Sequence, residues 1–283
     1  MIDLSKNIIY TGAAPNQQII PAIKWCFDNL GSRFFLIGSD YVFPRTANEI
    51  IKDILAVLEG EVVGEEYILL GSDDVDEVVE KIIDTLPDVI LNTINGDSNI
   101  HFFRQLRDAG ISPADMPTMS LSIAEDELCI MGAEQMMGDY ASWNYFQCLE
   151  TSENKEFVKR FKEKYGRHRV IDDPMEAGYF GVYLWVQAVK EAGTDDVGEV
   201  RMHIGDQSYA APGGIVSVNL ENNHVWKTVR IGKIKRDGQF NILWSSEKPI
   251  RPVVYPAYRS KSQWDKFIQD LYDGWGGKWE KSG

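Results

Sequence analysis

Apolar runs and helical patterns alternate five times in the first half of the chain. Each short apolar run is followed by a stretch in which apolar residues recur every three or four positions. The predicted strands lie at 34–37, 66–70, 89–93, 117–121 and 138–146, and the predicted helices at 16–30, 44–59, 73–86, 97–109 and 124–131. This alternation predicts an α/β fold in which helices cover both faces of a parallel sheet.

Two helices in succession, predicted at 153–165 and 174–192, interrupt this alternation. The second is apolar nearly all the way round, which predicts burial on several sides. Both helices need a sheet to cover, yet the strands before them already belong to the first sheet. The pattern therefore predicts that a second sheet is missing from the start of the chain.

A hairpin is predicted near the end of the chain. The runs at 223–234 and 239–244 flank a turn that contains Asp237 and Gly238, and Asp-Gly is a strong hairpin signal. A further apolar run lies at 213–220. The tail, 257–283, is aromatic and charged and shows no clear element.

Charge and hydropathy argue against a nucleic-acid partner and against a membrane span. The net charge of -14 argues against a nucleic-acid partner, because phosphate binding needs clustered Lys and Arg. No run reaches the roughly 18 apolar residues of a membrane span, so none is predicted. The first ten residues show no signal-peptide pattern. Three scattered cysteines are typical of buried thiols rather than of a disulfide framework.

Motifs of catalysis and of cofactor binding were not found. The sequence contains no phosphate-binding loop, no GxGxxG and no GxSxG, and its four histidines are far apart. Asp172 and Asp173 precede a helix, where capping explains them more simply than acid–base chemistry. We therefore expect a protein that is not an enzyme and holds neither a metal nor another cofactor.

Three loops follow predicted strands and carry groups suited to binding. They lie at 39–44, 92–98 and 120–125, and the carboxyl ends of parallel strands meet at one edge of a sheet. Two aromatic rings, amides, hydroxyls, Asp97 and Glu125 would meet there. The aromatic residues can equally be core packing, and 92–98 can be a plain Asn-Gly turn. A small neutral polar ligand is the functional interpretation.

The motifs at these loops resemble a known family. "YTGAAPNQQIIPA", "LIGSDYVFPRTANEII", "LNTINGDSN", "SIAEDEL", "DDPMEAGYFGVYLWVQAV" and "NNHVWKTVRIGKI" resemble the urea-binding proteins of urea ABC transporters. They also resemble short-chain amide and urea sensors, which include a cytoplasmic amide-binding regulator. The resemblance covers residues 7 to about 256 and implies an α/β type I periplasmic-binding-protein fold, with two Rossmann-like lobes that clamp the ligand.

The resemblance also implies where the ligand binds. Its ligand-binding residues are Tyr41, Phe43, Asn95, Gly96 and Ser122, with Glu176 and Tyr179 as weaker candidates near the hinge. The two rings would then form one wall of an amide pocket.

The resemblance divides the chain into five parts and leaves lobe one incomplete at the N-terminus. The parts are 1–31 (hinge crossing and first helix of lobe two), 32–140 (lobe two), 141–213 (remaining part of lobe one), 214–256 (hinge return and last strands of lobe two) and 257–283 (tail). Family members carry a long segment before "YTGAAPNQQ" that holds most of lobe one. The tail is open to two interpretations, a surface for a partner or packing across lobe one.

Two functions follow from the resemblance. One is the ligand-binding component of an ABC transporter for urea or a short-chain amide, with the transporter permease as partner. The other is an amide or urea sensor that regulates a protein. The resemblance implies a periplasmic or extracytoplasmic location, and the absent signal pattern implies a cytoplasmic one if the chain is the whole product.

Overall fold

The computed structural model describes residue 5, residues 7–205 and residues 207–281. Parts of the predicted segments 1–31, 141–213 and 257–283 lie outside the described residues. The strands are β1 (Arg33–Ser39), β2 (Glu61–Ile68), β3 (Val89–Thr93), β4 (Thr118–Ser120), β5 (Tyr140–Trp143), β6 (Ser208–Ala211), β7 (Gly214–Val218), β8 (Val225–Trp226), β9 (Arg230–Ile234) and β10 (Phe240–Ser245). The helices are α1 (Ile19–Asn29), α2 (Val42–Leu58), α3 (Asp76–Thr85), α4 (Ser98–Asp108), α5 (Glu125–Met131), α6 (Ser152–Tyr165), α7 (Asp173–Ala192), α8 (Val197–Ile204) and α9 (Lys261–Gly274).

Seven strands form the main sheet, in the order β10-β9-β5-β4-β3-β1-β2. The five strands β1 to β5 run parallel, which confirms the predicted α/β alternation. β1 and β3 are buried almost throughout, as expected for strands covered by helices on both faces. β2 is the exposed edge and begins at Glu61, five residues before its predicted start.

The predicted hairpin is confirmed, since β9 and β10 pair antiparallel at the other edge of this sheet. Gly238 adopts φ +74°, a conformation that costs glycine little. β9 also pairs antiparallel with β5, so the hairpin extends the parallel sheet by two strands.

A second unit contains α6, α7, α8 and the antiparallel sheet β6-β7-β8. β7 belongs to this small sheet, so the chain returns to the main sheet at Arg230 and not at the predicted residue 214. The reason is local: Gly214, at φ +123°, permits a tight turn that pairs β7 with β6.

α7 is buried on one face only. Phe180 and Leu184 pack in the apolar cluster of the small sheet, whereas Val182 and Trp185 are 60% and 49% exposed. The prediction of burial on several sides was therefore wrong for the chain as described.

The tail contains the helix α9, which the sequence analysis did not predict. Trp264 of α9 is fully buried in the apolar cluster that includes Ile51 and Leu55 of α2. Arg259, just before α9, bonds Glu49 and Asp53 of α2 at 2.7 Å each. The described tail therefore packs on the main-sheet unit and not across lobe one. No helix in the described parts of the chain is long and apolar enough to cross a membrane.

Candidate functional site

The three loops singled out in the sequence follow three neighbouring strands. β1, β3 and β4 lie side by side and parallel, so the loops 39–44, 92–98 and 120–125 leave the same edge of the sheet. This is the edge at which open parallel sheets bind ligands. We call it the carboxyl edge.

Hydrogen bonds join these three loops to one another. The Asn95 backbone N–H donates to the Ser39 hydroxyl at 3.0 Å, which links the loops after β1 and β3. The Ser122 hydroxyl donates to the carbonyl of Ile94, which links the loops after β3 and β4. These two contacts hold Asn95, Gly96 and Ser122 beside the end of β1.

The buried amide of Asn92 holds the loop 92–98 against the sheet. The Asn92 amide donates to Asn99 Oδ1 at 2.9 Å and to Ser120 Oγ at 3.2 Å, and its Oδ1 accepts from the Ile94 N–H at 2.9 Å. Because Asn92, Asn99 and Ser120 are fully buried, water does not compete for these bonds. The loop is therefore built rigidly on the sheet.

Tyr41 and Phe43 lie at the start of α2, where the chain turns out of β1. Their ring centroids are 6.3 Å apart, and both residues are half-buried. Burial raises the pKa of the Tyr41 phenol, so this group stays neutral and can donate or accept a hydrogen bond. Phe43 also packs against the apolar cluster that contains Ile19 and Ile50, so part of its ring is core packing. The pair offers the Tyr41 ring and hydroxyl together with the remaining surface of Phe43.

The tail runs along this turn. The Val42 N–H donates to the carbonyl of Trp279 at 2.9 Å, and the Lys281 N–H donates to the carbonyl of Asp40 at 3.0 Å. Tyr41 and Glu280 form the bridge between these bonds. The backbone before α2 is therefore paired on both sides, with the sheet and with the tail.

Arg45, the cation of this turn, is already engaged. Its guanidinium bonds Asp40 at 2.7 Å and lies 3.5 Å from the ring centroid of Tyr67. The remaining groups at the carboxyl edge are hydroxyls, amides, aromatic rings and the exposed carboxylate of Asp97, which would repel an anion. They suit a ligand without net charge better than an anion.

Glu125 begins α5 but lies below the carboxyl edge. It is fully buried, and its Oε1 accepts from the Gln147 N–H at 2.7 Å while Oε2 has no partner. Burial raises the pKa of this carboxyl to about 8, and the carboxylates of Asp172 and Asp173 add to the shift. Glu125 is therefore a structural carboxylic acid beneath the site.

We expect Glu125→Gln to change how stability depends on pH. A carboxyl whose pKa is raised in the folded state holds its proton more tightly there, so its stabilising contribution is lost as the pH rises from about 4.5 to about 8. Relative to the wild type, the variant should therefore gain about 1–3 kcal/mol between pH ~5 and pH ~9. Denaturant titrations across this range measure it. Glu80→Gln, at an exposed position, should leave the curve unchanged.

Glu176 lies where the two units join. It is buried, its Oε1 accepts from the Gly213 N–H at 3.0 Å, and burial raises its pKa to about 7. The guanidinium of Arg230 donates to the carbonyls of Asn144 and Gly213, and Lys227 pairs with Asp173 at 3.5 Å. These bonds tie the small-sheet unit to the ends of β5 and β9.

The chain passes between the two units three times, near Gln17, Asn144 and Thr228, and these three crossings lie together at this junction. The Asn144 amide donates to the carbonyls of Gln17 and Thr228, at 2.9 and 3.2 Å, and so connects all three crossings. The Gln17 amide in turn donates to the carbonyls of Val225 and Ile250. The junction has the connectivity of a hinge between two units. Glu176 was predicted as a ligand-binding candidate, and its observed partners are those of a hinge residue.

Tyr179 points into an aromatic cluster of the second unit. Its ring centroid lies 4.3 Å from that of Phe157 and 4.8 Å from that of Tyr183. Within the described residues no hydrogen bond or ring contact joins Tyr179 to the carboxyl edge. The structure thus places Tyr41, Phe43, Asn95, Gly96 and Ser122 on loops that leave one edge of the sheet, and sets Glu176 and Tyr179 in other contacts.

Residue 5, 7–205 and 207–281 contain no cluster of three or more His, Cys, Asp or Glu able to hold a metal ion. The groups at the carboxyl edge can bind through hydrogen bonds and ring contacts.

Comparisons with known proteins agree with this architecture. The family model described as "Periplasmic binding protein domain" matches residues 2–261. A solute-binding protein of an ABC transporter from Rhodopseudomonas palustris HaA2, in complex with p-hydroxybenzoic acid, superposes with a TM-score of 0.78 at 20% identity, covering 86% of this chain and 68% of that one. An amino acid ABC transporter substrate-binding protein from Pseudomonas fluorescens Pf-5 superposes with a TM-score of 0.74 at 23% identity, covering 88% and 67%.

A curated relative matches a shorter stretch. A protein named limonene hydroxylase, from Geobacillus stearothermophilus, is 34% identical over 120 residues, which is 42% of this chain. The chain spans about a fifth of that relative, 22% of its length.

Proposed function

This chain belongs to the periplasmic binding protein domain family, with the type I fold, and from that premise we propose that it binds urea or a short-chain amide at the carboxyl edge. Tyr41 and Phe43 form the aromatic wall of the proposed site. Asn95, Gly96 and Ser122 supply its polar groups. The chain would serve as the ligand-binding component of an ABC transporter, with the transporter permease as partner.

One observation carries this proposal: three loops from adjacent parallel strands are hydrogen-bonded into a single edge that holds both rings. A flat amide can place its faces against rings and its edges against hydroxyl and amide groups. Such a ligand has hydrogen-bonding capacity all round its edge, which a purely apolar site would leave unmatched.

The charge of the edge favours a neutral ligand. Arg45 is bonded to Asp40 and stacks on Tyr67, so an incoming carboxylate would have to compete with an existing ion pair. Urea and acetamide bring no charge and need no counter-ion. The benzoate ligands of two structural neighbours carry a carboxylate, so the charge of the ligand distinguishes the two possibilities.

Closure of the two units is the proposed mechanism. A ligand that touches both units stabilises the closed arrangement through contacts that the open one lacks. The three crossings near Asn144 would be the hinge about which the units move. The lobe boundaries of this proposal follow the sheets: β1–β5 with β9 and β10 in lobe two, and α6–α8 with β6–β8 in lobe one.

Equilibrium dialysis with radiolabelled urea and acetamide tests the proposal. The best small ligands gain about 1.5 kcal/mol per heavy atom, so four heavy atoms give a Kd no tighter than tens of micromolar. Tyr41→Ala should weaken binding at least about fivefold, because it removes a ring and a hydroxyl from a half-buried position. Tyr41→Phe should lose only the share due to the hydroxyl.

Tyr258→Ala is the matched control, since Tyr258 is 41% exposed and lies before α9. It should bind like the wild type. Tight binding of 4-hydroxybenzoate with no binding of urea or acetamide would refute the ligand and retain the binding fold. Equal affinity of Tyr41→Ala and the wild type would mean that the ring pair is core packing.

A further inference from the structure

The chain is strongly acidic, yet one short segment is strongly basic. Residues 159–169 carry six Lys or Arg and a single Glu, in a protein whose net charge is -14. The six cations are Lys159, Arg160, Lys162, Lys164, Arg167 and Arg169. None of them takes part in an ion pair within the described residues, and all except the half-buried Lys162 are exposed. An unpaired cluster of this kind is available to an external anion.

Aromatic rings alternate with these cations on one face of α6. Positions 157, 160, 161, 164 and 165 are spaced three and four residues apart, so they share a face, and they read Phe, Arg, Phe, Lys, Tyr. Phe161 and Tyr165 have centroids 4.9 Å apart, and Lys164 Nζ lies 5.2 Å from the Tyr165 centroid. The face offers both apolar area and positive charge.

A groove of about 420 Å³ separates this face from α7. Met175 and Tyr179 of α7 form the opposite wall, and the Tyr179 ring reaches across to Phe157 with centroids 4.3 Å apart. Gly178 lies between them on α7, and a methyl group added there would meet nothing within 4 Å. Gly178 is exposed, so the groove is open to solvent at this position of α7.

We propose that the groove between α6 and α7 docks an acidic peptide segment of a protein partner, with an aromatic or aliphatic side chain in the groove. The carboxylates of the segment would face Arg160 and Lys164, and its apolar side chain would lie on Phe161, Tyr165 and Met175. The helix face from 157 to 165 is about 12 Å long, which matches three or four extended residues.

Charge and shape favour a peptide over a nucleic acid. The protein as a whole repels a polyanion, so a long phosphate backbone would gain at this segment and lose elsewhere. A short acidic segment contacts the cations alone. The ring-lined groove adds a pocket for one apolar side chain, which is how peptides gain specificity in grooves.

Fluorescence anisotropy with a labelled peptide that alternates Glu and Phe tests the proposal. The full chain should bind it, and the same peptide with Gln in place of Glu should bind at least about tenfold more weakly at low salt. Arg160→Gln combined with Lys164→Gln should weaken binding of the Glu peptide by a similar factor. Tyr165→Ala should weaken it without changing the salt dependence, because it removes a ring and no charge.

Lys24→Gln combined with Lys248→Gln is the control, since both lysines are exposed and the charge change is the same. It should bind within about twofold of the wild type. Equal losses in this control and in the groove variant would overturn the proposal. So would tighter binding of a single-stranded DNA than of the peptide, or self-association of the chain that the groove variant abolishes in sedimentation.

Discussion

Trp264→Ala is expected to lower the free energy of unfolding by about 3–5 kcal/mol. Trp264 is fully buried, packs against α2, and donates from its indole N–H to the carbonyl of Pro256 at 3.1 Å. Removing it leaves a large cavity beside α2 and an unpaired carbonyl. Guanidinium chloride denaturation measures the loss.

Trp185→Ala provides a control of the same residue type. Trp185 is 49% exposed, so its truncation should cost no more than about 1.5 kcal/mol. Equal losses in the two variants would show that α9 does not contribute to the stability of the main-sheet unit.

The helix that carries Trp264 could have been predicted from the sequence. Ser260 and Gln263 form a capping box, in which the Ser260 side chain accepts from the Gln263 N–H, and this Ser-x-x-Gln spacing is visible in the letters. Trp264, Phe267 and Ile268 follow at helical spacing. Aromatic and charged residues also occur throughout 257–283, so the helical spacing of these three apolar residues is hard to distinguish there. The pairing of the tail with residues 40–42 could not be predicted, because it joins positions far apart in sequence.

The strands of the main sheet show where local sequence pattern is sufficient. Short apolar runs between helical patterns identify strands, and the Asp237-Gly238 turn identifies a hairpin. β7 shows where pattern fails: Gly214–Val218 suits either sheet, and only the tight turn at Gly214 assigns it to β6. Strand partners depend on three-dimensional packing that periodicity does not encode.

One part of the candidate site could also be predicted from the sequence, and another part could not. The sequence predicted that three loops meet, because parallel strands end at one edge. It did not predict the junction of Glu176, Lys227 and Arg230, since their contacts join positions far apart in the chain, such as Glu176 with Gly213 and Arg230 with Asn144. The basic segment at 159–169 is visible in the sequence, but the groove beside it depends on the packing of α6 against α7.

At the junction of the two units, Arg230→Met is expected to lower the free energy of unfolding by about 3–5 kcal/mol. Arg230 is 9% exposed, donates to the carbonyls of Asn144 and Gly213, and lies near the carboxylates of Asp173 and Glu176. Without it, two buried carbonyls lose their donor and two buried acids lose a counter-charge.

A second substitution separates charge from packing at the junction. The test is made at pH ~9, above the pKa of about 7 that burial gives Glu176, so that this carboxyl is ionised. Glu176→Gln added to Arg230→Met then removes a buried charge, so the double variant should recover at least about 1 kcal/mol relative to the single one. Arg251→Met is the control, because Arg251 pairs with Glu221 at the surface and exposed pairs contribute about 0–1 kcal/mol. A double variant no more stable than Arg230→Met would mean that packing, and not the uncompensated carboxyl, sets the cost at the proposed hinge.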